Sequence, residues 1–224
     1  MDIEEYWELF IKLKNLIKKL PPEKFNKELS SIGVDNDRIT KLFHLIKNDE
    51  FNHSEQIDVS LFLLKHIFPN DYERLVVKER IGSSNELYEF DPVKNGQNII
   101  KHGISFSEVV SYSQRFGTLI VPCPDEHDGE RNVIFSDLSA TRCNRKLSFP
   151  LPKVEEQDES YVISIVQSKA GKFRFISSRV MSRSRHKKTL KNALKNIYPN
   201  DNDAQEEFIG RCLEILKDNL FKVA

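Results

Sequence analysis

The residues of this chain best suited to catalysis are a histidine, a glutamate and a group of Lys and Arg residues, all of which follow residue 100. Between Tyr161 and Pro199 there are ten Lys or Arg residues and no Asp or Glu, and His102 and the pair Glu130-Arg131 lie before that stretch. RNA cleavage without a metal needs a base for the 2′-hydroxyl proton, an acid for the leaving 5′-oxygen, and cations for the charged phosphorane. His, Glu, Lys and Arg can fill those roles. Phosphate contact or simple solubility would also explain each of them individually.

The charge of the chain is unevenly distributed. The sequence has 34 basic and 34 acidic residues, so its formal net charge is zero. The acid-free stretch nevertheless concentrates positive potential, whereas residues 200–224 carry six acids against three bases. This pattern predicts binding to a polyanion such as RNA, with a solvated helical face as the alternative.

Other chemistries find little support. There is no phosphate loop, G-x-G-x-x-G, H-E-x-x-H or G-x-S-x-G motif, and the six histidines include no pair at metal-ligand spacing. The three cysteines form no C-x-x-C pair, which is typical of a reducing compartment. The acidic start at residues 1–5 is unlike a signal peptide, and no apolar run reaches the roughly 20 residues that span a bilayer. We therefore expect a cytoplasmic protein with no cofactor, no metal and no membrane partner.

The elements that must position these residues fall into two predicted domains. Residues 1–82 show a 3.6-residue apolar period interrupted by Pro21-Pro22, Gly33 and Pro69, which predicts a helical bundle acting as an accessory domain. Asp35 is the expected N-cap of one of its helices. The small polar residues at 81–86 indicate a linker.

The second predicted domain, residues 83–224, mixes strands and helices. Asp91 and Pro92 predict a helix start and Gly103 its end. Extended segments are predicted near residues 87–90, 117–121 and 132–136, followed by a hairpin over 161–178. An exposed insert is expected at 138–160, and two helices close the chain, the last with Asp203 as its cap. The predicted fold class is α+β, a helical bundle followed by a domain with a small antiparallel sheet and flanking helices.

Three blocks of this sequence resemble the BrnT toxins of bacterial type II toxin–antitoxin pairs, whose compact fold is RelE-like. The first block runs from Phe90-Asp91-Pro92-Val93-Lys94 through Asn98 to residues 101–108, Lys-His-Gly-Ile-Ser-Phe-Ser-Glu. The second is Asp125 with Glu130-Arg131 ahead of a strand. The third is Arg174-Phe-Ile-Ser-Ser-Arg179. The resemblance covers about residues 87–188, and Phe90 and Phe106 within it are expected to be core residues.

The resemblance implies a metal-independent endoribonuclease that cleaves RNA, with mRNA as the expected substrate, and leaves a 2′,3′-cyclic phosphate. It implies that His102 or Glu130 acts as base or acid and that Arg131 and Arg179 hold the scissile phosphate. Further RNA contacts are expected from the basic residues Lys94, Lys101, Arg174, Arg183, Arg185, Lys187, Lys188 and Lys191. An antitoxin, another complex subunit or the helical domain itself would restrain the activity.

One departure from the family pattern bears on activity. Past the last strand the family carries a Glu at the start of a basic helix, and here that position is Arg185, followed by His186. The alternative function is therefore a BrnT-like module that binds RNA or a protein and does not cleave RNA. One form of this alternative is a subunit of a defence complex.

Overall fold

The computed structural model describes residues 3–48, 53–75, 82–83, 88–110, 119–122, 131–137, 161–181, 183–195 and 200–220. Its helices are α1 (Ile3–Lys19), α2 (Pro22–Ser31), α3 (Asn36–Asn48), α4 (His53–Ile67), α5 (Pro69–Leu75), α6 (Pro92–His102), α7 (106–110), α8 (Arg183–Lys195) and α9 (Asn202–Leu220). Its strands are β1 (Gly82–Ser83), β2 (Tyr88–Phe90), β3 (Leu119–Pro122), β4 (Arg131–Asp137), β5 (Tyr161–Lys169) and β6 (Lys172–Met181). The chain is thus a mixed α/β protein, and it divides into two compact units.

The first unit contains α1 to α5 and, from further along the chain, Asp91–Ser105 with α6. Its apolar core includes Ile17, Phe25, Leu29, Ile39, Leu42, Leu63, Leu64 and Ile100, all of them fully buried. From the sequence, α6 was predicted to belong to a second domain that begins at residue 83. In the structure α6 packs on α4, because the apolar side of α6, with Ile99 and Ile100, completes the core of the N-terminal helices.

The ends of two helices follow their sequence signals. Asp35 caps α3, since its Oδ1 accepts hydrogen bonds from the backbone N–H groups of Asp37 and Arg38 at 2.9 and 3.4 Å. Asp91 caps α6 through a 2.8 Å bond from the Val93 N–H. Gly103 ends α6 with φ of 70°, a left-handed conformation that glycine adopts without steric cost.

The second unit is built on a sheet whose strand order, among the described residues, is β1-β2-β6-β5-β4-β3. The pairs β3–β4, β4–β5 and β5–β6 are antiparallel, as expected, but β2 pairs parallel with β6. The sheet is therefore mixed, and the prediction of a small antiparallel sheet was wrong for β2. A parallel pair needs a long connection between its strands, and β2 and β6 are separated by residues 91–171.

One face of this sheet packs against aromatic side chains. Phe106 from α7 lies between Phe90 and Phe175, with ring centroids 5.9 and 5.5 Å away, and Tyr88 lies 5.7 Å from Phe175. Phe90 and Phe106 are both buried, which confirms their assignment to the core. On the same face the hydroxyls of Ser164 and Ser178 form a buried hydrogen bond of 2.7 Å, so this polar pair is satisfied.

Helices α8 and α9 complete the second unit. Helix α8 contacts β3, β4 and β5 and packs against α9, with Leu190 and Ile209 buried. The cap of α9 is Asp201, whose Oδ1 accepts the Ala204 N–H at 2.9 Å, and not Asp203 as predicted. No helix in the described parts of the chain is long and apolar enough to cross a membrane. The predicted insert at 138–160 lies outside the described residues.

Candidate nucleic-acid interface

The β5–β6 hairpin carries most of the candidate contacts of the second unit. Its turn consists of Ala170 and Gly171, with φ of 49° and 78°, the positive values that a tight two-residue hairpin requires. The turn sets Lys169 directly opposite Lys172. Like charges opposite each other destabilise a strand pair, so this arrangement favours an anion nearby.

A β-bulge in β6 decides which face its arginines occupy. Ser177 pairs with Ile165 and Phe175 with Val166, so Ile176 is the extra residue. Side chains alternate along a regular strand, and Arg174 and Arg179 would then lie on opposite faces. With the bulge, Arg174 is opposite Gln167 and Arg179 is opposite Ile163. Since those two β5 residues share a face, both arginines lie on the side of the sheet away from the aromatic rings.

A polar row crosses this face from strand to strand. Arg131 on β4 is opposite Gln167 on β5, which is opposite Arg174 on β6, which is opposite Glu89 on β2. We call these four residues the polar row. Neighbouring strands lie about 4.8 Å apart, so the Cα atoms of Arg131 and Arg174 are roughly 10 Å apart. Arg131 is exposed, while Gln167 and Arg174 are partly exposed.

Arg179 lies apart from this row. Its partner Ile163 is four residues along β5 from Gln167, a separation of about 13 Å at 3.3 Å per residue. Arg179 is exposed. Arg131 is therefore closer to Arg174 than to Arg179. From the sequence, Arg131 and Arg179 were expected to hold the scissile phosphate together. Its expected companion Glu130 lies outside the described residues.

Helix α8 presents a second group of the predicted cations. Arg185 and Lys188 are exposed, and Arg183 and Lys187 lie on the same helix. Lys191 forms an ion pair with Glu206 of α9. The charge of Lys191 is therefore partly offset by an acid from outside the acid-free stretch.

The remaining predicted site residues, Lys94, Lys101 and His102, belong to α6 in the first unit. Lys94 is exposed, and Lys101 and His102, in the last turn of α6, are partly buried. A cation there is favoured by the partial negative charge of a helix C-terminus. His102 therefore has a structural reason for its position in addition to the expected catalytic one.

Arg38, which the sequence analysis did not identify, also contacts the C-terminal end of α6. Its Nε and Nη2 donate to the carbonyl oxygens of Ile100 and Ile99 at 3.1 and 3.2 Å. Desolvation lowers the pKa of Arg38 to about 10, although the nearby Asp35 carboxylate raises it. Arg38 still carries its charge at neutral pH, and it holds the helix end on which Lys101 and His102 lie.

A second unpredicted group is Asp58 on α4. Its Oδ2 accepts a 2.6 Å hydrogen bond from Nδ2 of Asn95, a buried residue of α6. Burial raises the pKa of Asp58 from 3.8 to about 7; the Asn95 bond opposes the rise, and the charges of Asp91 and Glu55 add to it. Burial, with a further contribution from Asp91, also raises the pKa of Tyr72. Among the described residues, no group of three or more His, Cys, Asp or Glu could hold a metal ion.

Comparison with known proteins adds no relative to these observations: no family model, no curated protein and no solved structure matches this chain. The site therefore has to be interpreted from its own residues. Two residues of the polar row, Glu89 and Gln167, and the two lysines beside the hairpin turn, Lys169 and Lys172, were not among the predicted site residues. A sequence signal existed for the two lysines, which flank a predicted hairpin turn, but none existed for Glu89, whose partner is 85 residues away.

Proposed function

We propose that the second unit binds the phosphate backbone of RNA through the polar row and the adjacent Lys169 and Lys172. The observation that supports this proposal best is the bulge at Ile176, which brings Arg131, Arg174 and Arg179 to one face of the sheet. With the two lysines, the described strand residues bring five cations to this face, and Glu89 lies opposite one of them, Arg174, in the strand register.

The chemistry of the row suits a sugar–phosphate chain. Arginine donates paired N–H groups that match two phosphate oxygens, and the amide of Gln167 can both donate to and accept from a ribose hydroxyl. Contacts of this kind position the nucleic acid without reading its bases. We therefore expect binding that depends little on sequence and weakens steeply with salt.

Charge reversal at the hairpin turn tests the proposal. The double variant Lys169→Glu/Lys172→Glu keeps the like-charge pair across the turn but inverts its sign. We expect RNA affinity at about 0.1 M salt to fall at least about tenfold, and the slope of log K against log salt to become shallower by about 1.4. Fluorescence anisotropy with a labelled single-stranded RNA measures both.

The matched control is Lys24→Glu/Lys27→Glu, which makes the same charge change on exposed residues of α2 in the first unit. This control should retain most of the affinity. Equal losses in the two double variants, or a wild-type protein that does not bind RNA at low salt, would contradict the proposed interface.

We further propose that the bound RNA is cleaved without a metal, the activity that the resemblance to BrnT toxins implies. The cations on one sheet face support this second function, because cations held near a bound phosphate stabilise the negative charge that develops on a phosphorane. His102 or Glu130 would exchange the proton, and Arg131 or Arg179 would stabilise the transition state. The same resemblance implies a protein partner, either an antitoxin or a complex subunit, and we propose the first unit as its docking region.

Replacing His102 separates catalysis from folding. If His102 exchanges a proton, His102→Ala should lower RNA cleavage by on the order of a hundredfold at an unchanged melting temperature. Arg179→Ala should reduce cleavage to a similar extent, and wild-type cleavage should continue in EDTA. His44→Ala, an exposed histidine of α3, is the control that should leave the rate unchanged.

The opposite result is equally specific. If His102 only stabilises the end of α6, His102→Ala should lower the melting temperature and leave the rate per folded molecule unchanged. A wild-type protein that binds RNA but cuts none, with or without ribosomes, would favour the alternative of a non-cleaving module, in agreement with Arg185 at the position of the family Glu.

A further inference from the structure

Glu89 is the acidic member of the polar row. It lies on β2 opposite Arg174 in the parallel register, and its Oε1 accepts a 2.7 Å hydrogen bond from Nε of Arg174. The side chains are 16% and 29% exposed for Glu89 and Arg174, so the pair is shielded from solvent yet still accessible. A charged hydrogen bond in such a place is stronger than one on an open surface.

The geometry of the bond has two consequences for Arg174. A guanidinium carries five N–H donors in a fixed plane, and this bond uses the one on Nε. Glu89 therefore fixes the orientation of the plane while the donors on the two terminal nitrogens are not used by the pair. At the same time its carboxylate offsets the positive charge that a phosphate would otherwise meet.

We propose that Glu89 is an internal counter-ion that sets the affinity of the polar row for RNA phosphate by acting through Arg174. This inference rests on the proposed RNA-binding function. The carboxylate keeps Arg174 in the row when no RNA is bound and competes with phosphate oxygens when RNA arrives. Glu89 is thus a positioning residue that limits affinity, and the pair allows RNA to be released.

The experiment is to remove the charge of Glu89 while keeping its shape. In Glu89→Gln the amide oxygen can still accept from Nε of Arg174, so the orientation is preserved. We expect RNA affinity at about 0.1 M salt to rise about three- to tenfold, and the slope of log K against log salt to steepen by about 0.7, the value for one additional phosphate contact on a single strand. Glu23→Gln, an exposed acid of α2, controls for net charge and should change neither quantity appreciably.

A second pair of variants shows whether Glu89 acts through Arg174. Arg174→Gln removes the guanidinium that would meet phosphate, and affinity should fall. If Glu89 acts through Arg174, adding Glu89→Gln to that variant should change affinity and slope little, because the residue through which it acts is already absent. A gain as large as that of Glu89→Gln alone would show that Glu89 repels RNA directly and would overturn the inference. If Glu89→Gln alone has a lower melting temperature, this comparison still tests the role of Glu89.

The outcomes distinguish the inference from the function on which it rests. A wild-type protein that does not bind RNA at low salt overturns RNA binding itself. A wild-type protein that binds RNA, with Glu89→Gln folded but no tighter, overturns the counter-ion role of Glu89. Equal gains in Glu89→Gln and Glu23→Gln would also overturn it, since net charge alone would then account for the change.

Discussion

Replacing Gly96 with alanine is expected to destabilise the first unit by more than about 3 kcal/mol or to prevent its folding. Gly96 lies on α6 where the backbone of α4 passes closely. A Cβ there would lie 2.0 Å from the carbonyl oxygen of Asp58, 2.4 Å from its carbonyl carbon and 2.8 Å from the nitrogen of Val59. These are backbone atoms, so no side-chain rotation relieves the clash, and the two helices have to separate. Separation would open the core around Ile99 and Ile100.

A second glycine provides the matched control. Gly210 lies on α9, is exposed, and has no heavy atom within 4 Å of the position a Cβ would occupy. Gly210→Ala should stabilise its helix by about 0.5–1 kcal/mol, because alanine loses less conformational freedom on folding than glycine. Urea unfolding followed by circular dichroism compares both variants with wild type. A Gly96→Ala protein as stable as wild type would contradict the close packing of α4 on α6.

Replacing Asp58 with asparagine is expected to remove a pH dependence of stability. The folded-state pKa of Asp58 is about 7 and its ordinary value is 3.8, so the folded protein binds the proton more tightly than the unfolded chain. Between these two values folding takes up a proton, and stability falls as pH rises. The full loss, reached above about pH 7, amounts to at most about 4 kcal/mol. Asp58→Asn should therefore exceed wild type in stability at pH 8 and differ little from it near pH 4.

The difference in unfolding free energy between wild type and Asp58→Asn, measured from pH 4 to pH 8, isolates this one group. The amide oxygen introduced by Asp58→Asn could still accept the hydrogen bond from Asn95, so the contact between α4 and α6 is kept. Asp37→Asn makes the same substitution on an exposed residue of α3 and controls for the change in net charge. A flat difference for Asp58→Asn over the same range would show that Asp58 ionises normally in the folded protein.

Local signals predicted the ends of several elements correctly, because a cap depends on residues within one turn. Asp91 and Gly103 bound α6 as predicted, and the turn after Lys169 joins the expected hairpin. The cap of α9 was misplaced by two residues, since Asp201 and Asp203 are both suitable caps and local sequence does not choose between them.

Long-range relations could not be predicted in this way. The ten cations at 161–199 have no acid among them in sequence, but Glu89 and Glu206 pair with Arg174 and Lys191 from outside that range. Arg174 and Arg179 share a face only because of the bulge at Ile176. The sequence does not predict this bulge, because isoleucine suits a regular strand equally well. The inclusion of α6 in the first unit depends on its apolar side meeting α4, a pairing that periodicity does not reveal.

The parallel pairing of β2 with β6 imposes an order of events during synthesis. Glu89 and Arg174 are 85 residues apart, which at roughly 5–20 residues per second corresponds to about 4 to 17 s of translation. Helix α6 meets α4 much sooner, since Asn95 follows Asp58 by only 37 residues. On the ribosome we therefore expect the N-terminal core to fold before β6 has been synthesised, so that Tyr88 and Phe90 are not yet paired with it. During that interval their rings are available to chaperones, and the sheet becomes protected only after the N-terminal core.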